Sequence, residues 1–198
     1  MCKKRVLLRF LSILFVAAFF AGCAGMAAKP TESNFQAPVV TLDNMEVAHA
    51  FGYWYFSKKV APTKGSPDNV GAPLDLAFTF NVENPNPYPV QMESLKFSVL
   101  FEEFELNTVS THATQWIPPG MTNQVLVHAH FDVRQSLLSL LVTGGFKLKE
   151  KGTNAWAALE KWWTGIPNYE IPVTVSGGAA VFKADSLVKV STFEATFP

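Results

Sequence analysis

A strand that ends in a proline-rich corner constrains the fold of this chain more than any other feature. Apolar residues occupy every second position of the strand: Leu74, Leu76, Phe78, Phe80 and Val82. This period of two is typical of a β-strand with one buried and one solvated face. The strand runs into Asn84-Pro85-Asn86-Pro87-Tyr88-Pro89, where three prolines remove backbone donors and end the ladder. Each asparagine precedes a proline, and its side chain can bond backbone two residues on. The sequence therefore predicts a core strand followed by a rigid corner.

Several other segments repeat this alternation, with turn signals between them. Inward-facing sets begin at Leu95, Val125 and Tyr169, and further strands follow from about Ala180. Glu102-Glu103 interrupts the second alternation and predicts a bulge or tight turn, and Gly177-Gly178 predicts another turn. Many short strands with few helices favour a mainly β protein, an antiparallel two-sheet β-sandwich.

Two short helices are predicted between these strands. Asp132 and Gln135 fit a capping box for a helix over 133–142, which Gly144-Gly145 would end. Asn154 fits the N-cap of a helix over 155–163, which Gly165 would end.

The corner also carries a family resemblance. The run from Phe80 to Val90, followed by Leu95-Lys96-Phe97-Ser98-Val99, resembles the signature of the late-embryogenesis-abundant type 2 family, also called the WHy (water stress and hypersensitive response) domain. The resemblance covers roughly residues 38–198 and implies a fibronectin- or immunoglobulin-like sandwich with a helical insert. Within it, Asn84, Pro85, Asn86 and Pro87 are expected to be structural motif residues.

The N-terminus has the pattern of an export signal. Basic residues at 3–9 precede an uncharged apolar run over 10–22, and small residues follow. The sequence Phe20-Ala21-Gly22-Cys23 resembles a bacterial lipobox, in which cleavage before the cysteine accompanies its acylation. We therefore expect a signal peptide over 1–22, a lipidated Cys23 with a flexible tether to residue 37, and a folded domain over 38–198.

Two other interpretations of the N-terminus stay open at this point. The apolar stretch from Phe10 to Ala28 is about long enough for an uncleaved membrane anchor, and plain secretion is the third possibility. In lipoproteins of two-membrane bacteria, a residue other than Asp after the cysteine, here Ala24, favours transfer to the outer membrane. The expected location is therefore the cell envelope, on the periplasmic side of the outer membrane.

Composition excludes several classes of site. Both cysteines, Cys2 and Cys23, lie in the first 23 residues, so the rest of the chain offers no disulfide, no Cys-based zinc site and no thiol nucleophile. Residues 1–22 also hold four of the 16 basic residues and none of the 16 acidic ones. The remaining chain is mildly acidic, which argues against nucleic acid as a partner.

A His-x-His pair is the strongest candidate for chemistry. Alternation places His128, His130 and Asp132 on one outward face, and such a set can ligate zinc. The competing interpretation, which we favour, is that they are ordinary polar residues of a wet strand face and that Asp132 caps a helix. We therefore predict neither a metal nor a cofactor.

Signatures of catalysis and of phosphate binding are missing from the sequence. It contains no G-x-S-x-G elbow and no G-x-G-x-x-G or Walker-type loop. Glu102 and Glu103 are adjacent, so on a strand their carboxylates would point apart. A non-enzymatic protein is therefore expected.

Tryptophans mark a possible interaction surface. Trp156, Leu159 and Trp163 share one face of the second helix, with Trp162 beside it. Packing on the sandwich is the more ordinary role for such a face, whereas contact with lipid or a partner is the functional alternative. The aromatic cluster Tyr53-Trp54-Tyr55-Phe56 allows the same two interpretations.

The resemblance implies tolerance of desiccation, cold or osmotic stress as the expected function. The mechanism would be surface association with membranes or proteins as water is withdrawn. The alternative is an envelope adaptor that binds a lipid or a protein complex. The sequence leaves the oligomeric state open.

Overall fold

In the computed structural model, which describes residues 29–52 and 71–198, eight strands form two antiparallel sheets. The smaller sheet has the order β1-β2-β6, and the larger has the order β4-β3-β7-β8, with β5 also paired to β3. The strands are β1 (Val39–Ala50), β2 (Pro73–Glu83), β3 (Val90–Phe101), β4 (Phe104–Thr111), β5 (Gln115–Ile117), β6 (Thr122–Asp132), β7 (Val173–Ala184) and β8 (Leu187–Phe197).

The two sheets pack face to face through aromatic side chains. The predicted strand is β2, and its apolar residues are buried as the alternation requires. Phe80 of β2 contacts Phe97 of the opposite sheet with ring centroids 5.1 Å apart, and it contacts Phe193 of β8 at 5.2 Å. Both pairs have the edge-to-face geometry that aromatic rings prefer. The predicted antiparallel β-sandwich is thus confirmed.

The strand register defines two ends of the sandwich. At the first, Val39, Glu83 and Thr122 are aligned, and the Asn84–Pro89 corner and the Pro118–Met121 turn close it. We call this the corner end. At the second, Leu74 and Phe131 are aligned and the helices follow β6; we call this the helical end.

The helical end is built from α1 (Val133–Ser139), a π-helical turn (Leu140–Gly144), α2 (Gly145–Glu150), α3 (Ala155–Gly165) and a 3-10 turn (Ile166–Asn168). The two predicted N-caps are present: the side chain of Asp132 accepts a hydrogen bond from Arg134 N, and that of Asn154 accepts one from Ala157 N.

The prediction that Gly144-Gly145 ends the first helix is wrong. The chain passes through a π-helical turn over Leu140–Gly144, and the next helix continues from Gly145 to Glu150. A Cβ atom on Gly144 would lie 3.1 Å from Leu140 Cδ2 and 3.4 Å from Phe104 Cδ1. This glycine therefore serves close packing of the helix on the β3–β4 hairpin, a contact that a local pattern does not reveal.

The predicted turn at Gly177-Gly178 is also wrong. Both glycines lie inside β7, where the pairing with β8 shifts between Val175 and Gly178. Gly177 has φ +58, and a Cβ on Gly178 would fall 2.5 Å from the ring of Phe193. The pair forms a β-bulge in which glycine is needed for backbone conformation and for ring packing. The predicted tight turn at Glu102-Glu103 is confirmed, as these residues join β3 to β4.

The folded domain begins earlier than the predicted boundary at Pro38. A turn over Thr31–Asn34 is closed by a backbone bond from Phe35 N to Thr31 O, and Phe35 is buried in the core. The predicted tether to residue 37 is therefore too long. The reason is that the Phe35 ring lies beside Tyr88 of the distant corner, with ring centroids 6.5 Å apart, and the unpatterned sequence around Phe35 does not show this contact.

Some predictions fall on residues outside the described ranges. These are the signal peptide, Cys23 and the aromatic cluster over 53–56. Among the described residues, no helix has both the length and the apolar character needed to cross a bilayer.

Candidate functional site

The Asn84–Pro89 corner is organised by the buried side chain of Asn84. Its Nδ2 group donates to the carbonyl oxygens of Tyr88, Ile117 and Pro118 at 2.9, 3.0 and 3.1 Å. Its Oδ1 accepts from the backbone N–H and the side-chain amide of Asn86, at 3.0 and 2.9 Å. One neutral amide thus satisfies groups from two separate turns, which explains why asparagine is needed there.

Asn86 attaches the N-terminal segment to this corner. Its Nδ2 donates to Gln36 O and its Oδ1 accepts from Gln36 N, both at 2.8 Å, so the side chain imitates one rung of a β-ladder. Tyr88 Oη donates to Asn34 Oδ1 at 2.8 Å beside it. Asn84 and Asn86 are buried, whereas Pro85 between them and Pro87 after them are exposed. The motif is therefore structural: the side-chain polar atoms of its two asparagines all have partners within the fold.

The His-x-His pair meets a carboxylate on the outer face of the smaller sheet. His128 Nδ1 lies 3.1 Å from Asp75 Oδ2, and His130 Nδ1 lies 3.3 Å from Asp75 Oδ1. The register explains this contact, because Asp75 of β2 is directly opposite His130 of β6. The two imidazole rings are stacked, 6.0 Å apart.

Asp132 is separated from that group by its role as a helix cap. Its Oδ1 accepts from Arg134 N at 2.9 Å. Across the described ranges, no set of three or more His, Cys, Asp or Glu side chains is arranged to hold a metal ion. The three residues singled out in the sequence thus have two separate roles: His128 and His130 contact Asp75, and Asp132 caps the helix.

For Trp162 and Trp163 the more ordinary role, packing on the sandwich, is confirmed, and the alternative of an interaction surface is wrong. They are 0% and 2% exposed, and both stand edge-on to Phe101 of β3. Trp163 Nε1 donates to Ala72 O at 2.7 Å, so its polar atom is also satisfied inside the fold. Trp156 is the exception on this helix, with 53% of its surface exposed. Consecutive tryptophans one turn from the helix end both reach the core because α3 lies across the end of the sandwich.

A charged cluster fastens the β3–β4 turn to α3. Glu102 has φ +57 and accepts hydrogen bonds from Lys161 Nζ and, at 3.2 Å, from Trp162 Nε1. Burial raises the pKa of its carboxyl, but hydrogen bonds from Lys161 and Trp162 and the charges of Lys161 and Lys151 oppose this and leave that pKa below its ordinary value of 4.5. Lys151 also pairs with Glu103. The predicted separation of the two carboxylates agrees with their different lysine partners.

An exposed apolar surface lies on the helical segment that follows β6. Its members have spacings of three, one and four residues and share one side of the helix: Leu138, Leu141, Val142 and Phe146. We call them the apolar helical patch. Val142 is 82% exposed and Phe146 is 89% exposed, while Val133, Leu140 and Leu148 of the same segment are buried. Contiguous exposed apolar side chains of this kind mark interaction surfaces.

A groove adjoins the apolar helical patch. It has a volume of about 710 Å³, and one of its walls carries Leu138 and Val142 while the other is β4, with Glu105 and Thr108. Lys147 and Lys149 are exposed on the last turn of α2. The groove and the patch together give this end of the molecule a shaped, mainly apolar surface with charged borders.

Sequence reasoning missed this patch although a signal for it exists. The helix over 133–142 carries apolar residues on more than one side: Val133, Leu138, Leu140, Leu141 and Val142. A helix that packs on one side of a sheet cannot bury both of its sides. The sequence therefore shows that some apolar residues of this helix must stay exposed, but it does not show which side of the helix they occupy. The outward position of Asp75 also follows from the sequence, because the alternation of its strand places it on the solvated face.

Comparisons with known proteins add similarity at the level of solved structures only. No family model matches the chain, and no curated protein matches it. A crystal structure of a protein from Archaeoglobus fulgidus is similar over 79% of this chain and 94% of its own, with 11% identity and a TM-score of 0.41. The X-ray structure of SoR45, a Northeast Structural Genomics Consortium target, is similar over 81% and 86%, with 8% identity and a TM-score of 0.44. At this degree of similarity, neither structure carries a functional argument.

Proposed function

We propose that this chain is a non-enzymatic, lipid-anchored protein of the cell envelope that protects other proteins from association when water is withdrawn. The observation that carries the proposal is the apolar helical patch, in which Phe146 is 89% exposed on a folded, well-packed domain. Exposed apolar surface can cover apolar surface of a partly unfolded client and keep two clients apart.

Two features of the sequence support the same proposal. The run from Phe80 to Val90 resembles a family associated with water stress, and Phe20-Ala21-Gly22-Cys23 resembles a lipobox. Protection by a folded surface differs from protection by disordered hydrophilic proteins, which act without a packed core. The protection proposed here therefore depends on particular side chains, and substitution of those side chains can test it.

A drying assay tests the proposal directly. A labile enzyme is dried and rehydrated with residues 24–198, with the double variant Val142→Ser/Phe146→Ser, or with Val188→Ser/Val190→Ser. Val188 and Val190 are two exposed valines of β8, so the last variant also replaces two exposed apolar side chains by serine, but on another surface. We expect wild type and the β8 variant to preserve enzyme activity above an inert protein of equal mass, and the patch variant to fall to the level of that protein.

The outcomes separate the patch from a general effect of added protein. Equal recovery with all three proteins and with the inert protein would remove the protectant proposal. Recovery that survives in the patch variant but not in the β8 variant would move the active surface to the larger sheet.

The second candidate function is an envelope adaptor, and the groove beside the patch favours it. A groove of about 710 Å³ between β4 and the helical segment offers shape as well as apolar area, which suits one partner more than many clients. Cross-linking in cells from position 142, compared with position 188, tests this. A single stoichiometric product from position 142 supports an adaptor, whereas a broad set of products supports protection of many clients.

A further inference from the structure

The corner end carries its own exposed apolar residues. Trp116 of β5 is 56% exposed, and Met121 in the following turn is 55% exposed. The turn is closed by Met121 N, which donates to Pro118 O at 3.2 Å, and Gly120 at φ +62 occupies the position that needs a positive φ. These side chains are thus held on a rigid support.

The exposed prolines at this end lower the cost of contact with lipid. Pro85, Pro87, Pro118 and Pro119 are all exposed, and proline has no backbone N–H to leave unpaired when water is removed. Tryptophan prefers the boundary between lipid and water, where its ring is in apolar surroundings and its N–H reaches a polar group. The chemistry of this end therefore fits the interfacial layer of a bilayer.

The N-terminal segment enters the fold at the same end. Asn34 Nδ2 donates to Lys29 O at 3.0 Å, and Asn34 Oδ1 accepts from Tyr88 of the corner. From there, Asn84 continues the connection to the turn, since its backbone N donates to Met121 O at 2.9 Å. Lys29 and Met121 are therefore linked by a short series of hydrogen bonds across one end of the sandwich.

The length of chain before Lys29 limits where a membrane anchor can lie. Five residues lie between Cys23 and Lys29, and the six Cα-to-Cα steps that join these two positions span at most about 21 Å when fully extended. The strands between the two ends of the sandwich, such as the 11 residues of β2, are about 33 Å long. An anchor at Cys23 therefore holds the corner end close to the bilayer.

We propose that the corner end rests on the membrane that holds the acyl chains of Cys23, with Trp116 and Met121 in its interfacial layer. The apolar helical patch then points away from this membrane, toward clients in the aqueous space. Lys29, Glu32 and Glu83 lie at the same end and stay at the level of the headgroups, so the contact is shallow. This orientation rests on the lipid anchor proposed above and adds to it the side of the domain that faces lipid.

Spin labels at the two ends test this orientation. The full processed chain, carrying either Met121→Cys or Phe146→Cys, is labelled and placed in vesicles of phosphatidylethanolamine and phosphatidylglycerol. Trp116→Cys is a second position at the corner end, for use if the first variant folds poorly. We expect the label at 121 to collide more with dissolved oxygen, which concentrates in lipid, and less with a water-soluble nickel chelate. The label at 146 should behave in the opposite way.

Equal accessibility of the two labels, or protection of position 146 alone, would overturn the orientation while leaving the anchor intact. The anchor is read separately from the unsubstituted chain. Removal of residues 1–22 leaves Cys23 as its one cysteine, and an acylated Cys23 has no free thiol to label. Labelling of that chain, together with vesicle binding no stronger than that of Cys23→Ser, would show that the anchor is absent and would overturn both proposals.

Discussion

The two ends of this sandwich are closed by different chemistry. At the corner end, neutral amides of Asn84 and Asn86 satisfy the backbone groups of three chain segments. At the helical end, Trp162 and Trp163 fill the space under α3, and ion pairs at Glu102 and Glu103 lie outside them. The corner end thus depends on hydrogen-bond geometry, and the helical end depends on apolar volume.

This difference allows the helical end to carry a surface that the fold does not need. Its stability comes from the buried side of the helices, so the exposed side can vary with function. At the corner end, by contrast, Asn84 and Asn86 are fixed by several partners at once, and a change in either one affects all of them. Substitutions at each end should therefore differ in kind, and five of them are ordered here by expected effect.

Trp162→Ala should have the largest effect on stability. Removing a fully buried indole leaves a cavity and should lower the free energy of unfolding by about 4 kcal/mol. Urea denaturation measures this change, and Trp156→Ala on the same helix is the matched control. The control should stay within about 0.5 kcal/mol of wild type because Trp156 is 53% exposed. Similar losses in the two variants would contradict the assignment of α3 to the core.

Asn84→Ala should cost nearly as much although it removes few apolar contacts. The carbonyl oxygens of Tyr88, Ile117 and Pro118 would lose a buried donor, at a total cost of about 3 kcal/mol. Asn81→Ala is the comparison, since the Asn81 amide bonds Asp43 in an exposed position and should matter little. A loss below that of Asn81→Ala would show that water replaces the amide at the corner.

Asn86→Ala should loosen the N-terminal segment before it affects the whole domain. Two hydrogen bonds to Gln36 are lost, worth about 2 kcal/mol locally. Amide hydrogen exchange at Gln36 should then accelerate by roughly 30-fold, while exchange in β2 changes far less. Uniform acceleration in both segments would mean that the segment and the sandwich unfold as one unit.

Glu102→Gln should produce a smaller loss that depends on pH. Because the folded-state pKa of Glu102 lies below 4.5, the unfolded state binds more protons and stability rises with pH. The advantage of wild type over the variant should be about 1 kcal/mol at neutral pH. It should be lost as pH falls below 4.5 through the folded-state pKa. Urea denaturation at several pH values measures this, and a constant difference across the range would rule out the charged contact.

Phe146→Ser should leave stability within about 0.5 kcal/mol of wild type, because the ring is exposed. Thermal unfolding monitored by circular dichroism measures the change. Leu148→Ser is the control from the same helix, since Leu148 is buried and should lower the melting temperature clearly. A large loss in Phe146→Ser would show that the ring belongs to the fold and is not a free surface.

The sequence predicts those parts of the fold that depend on neighbours along the chain. The alternation of β2, the tight turn at Glu102 and the caps at Asp132 and Asn154 are all local patterns, and all four are present. The predictions at Gly144 and Gly178 are wrong because local sequence does not distinguish a glycine that leaves room for a distant side chain from a glycine that turns the backbone. Their distant partners, Phe104 for Gly144 and Phe193 for Gly178, are placed beside them only by the assembled sheets.

The candidate sites were less predictable for the same reason. Periodicity placed Trp156 and Trp163 on one helical side, but it does not say which side meets a sheet, and the core takes Trp162 as well. The bonds of Asn84 to Ile117 and Pro118 span 33 and 34 residues, which no spacing rule reaches. By contrast, the pairing of Asp75 with His130 follows once β2 and β6 are known to be neighbours.

The rung between Asn86 and Gln36 has a mechanical consequence. A pull on the chain from the N-terminal side first loads the two bonds to Gln36 and the contact of Tyr88 with Asn34, and it reaches β1 only after these have broken. β1 is paired on one side by β2, and its loss would open the smaller sheet. The amides carry no charge, and burial raises the pKa of the Tyr88 hydroxyl above its ordinary value, so this connection is uncharged at neutral pH and is little affected by salt. The corner thus bears a force on the N-terminal segment before β1 does, and it protects the first strand from being pulled out of the sandwich.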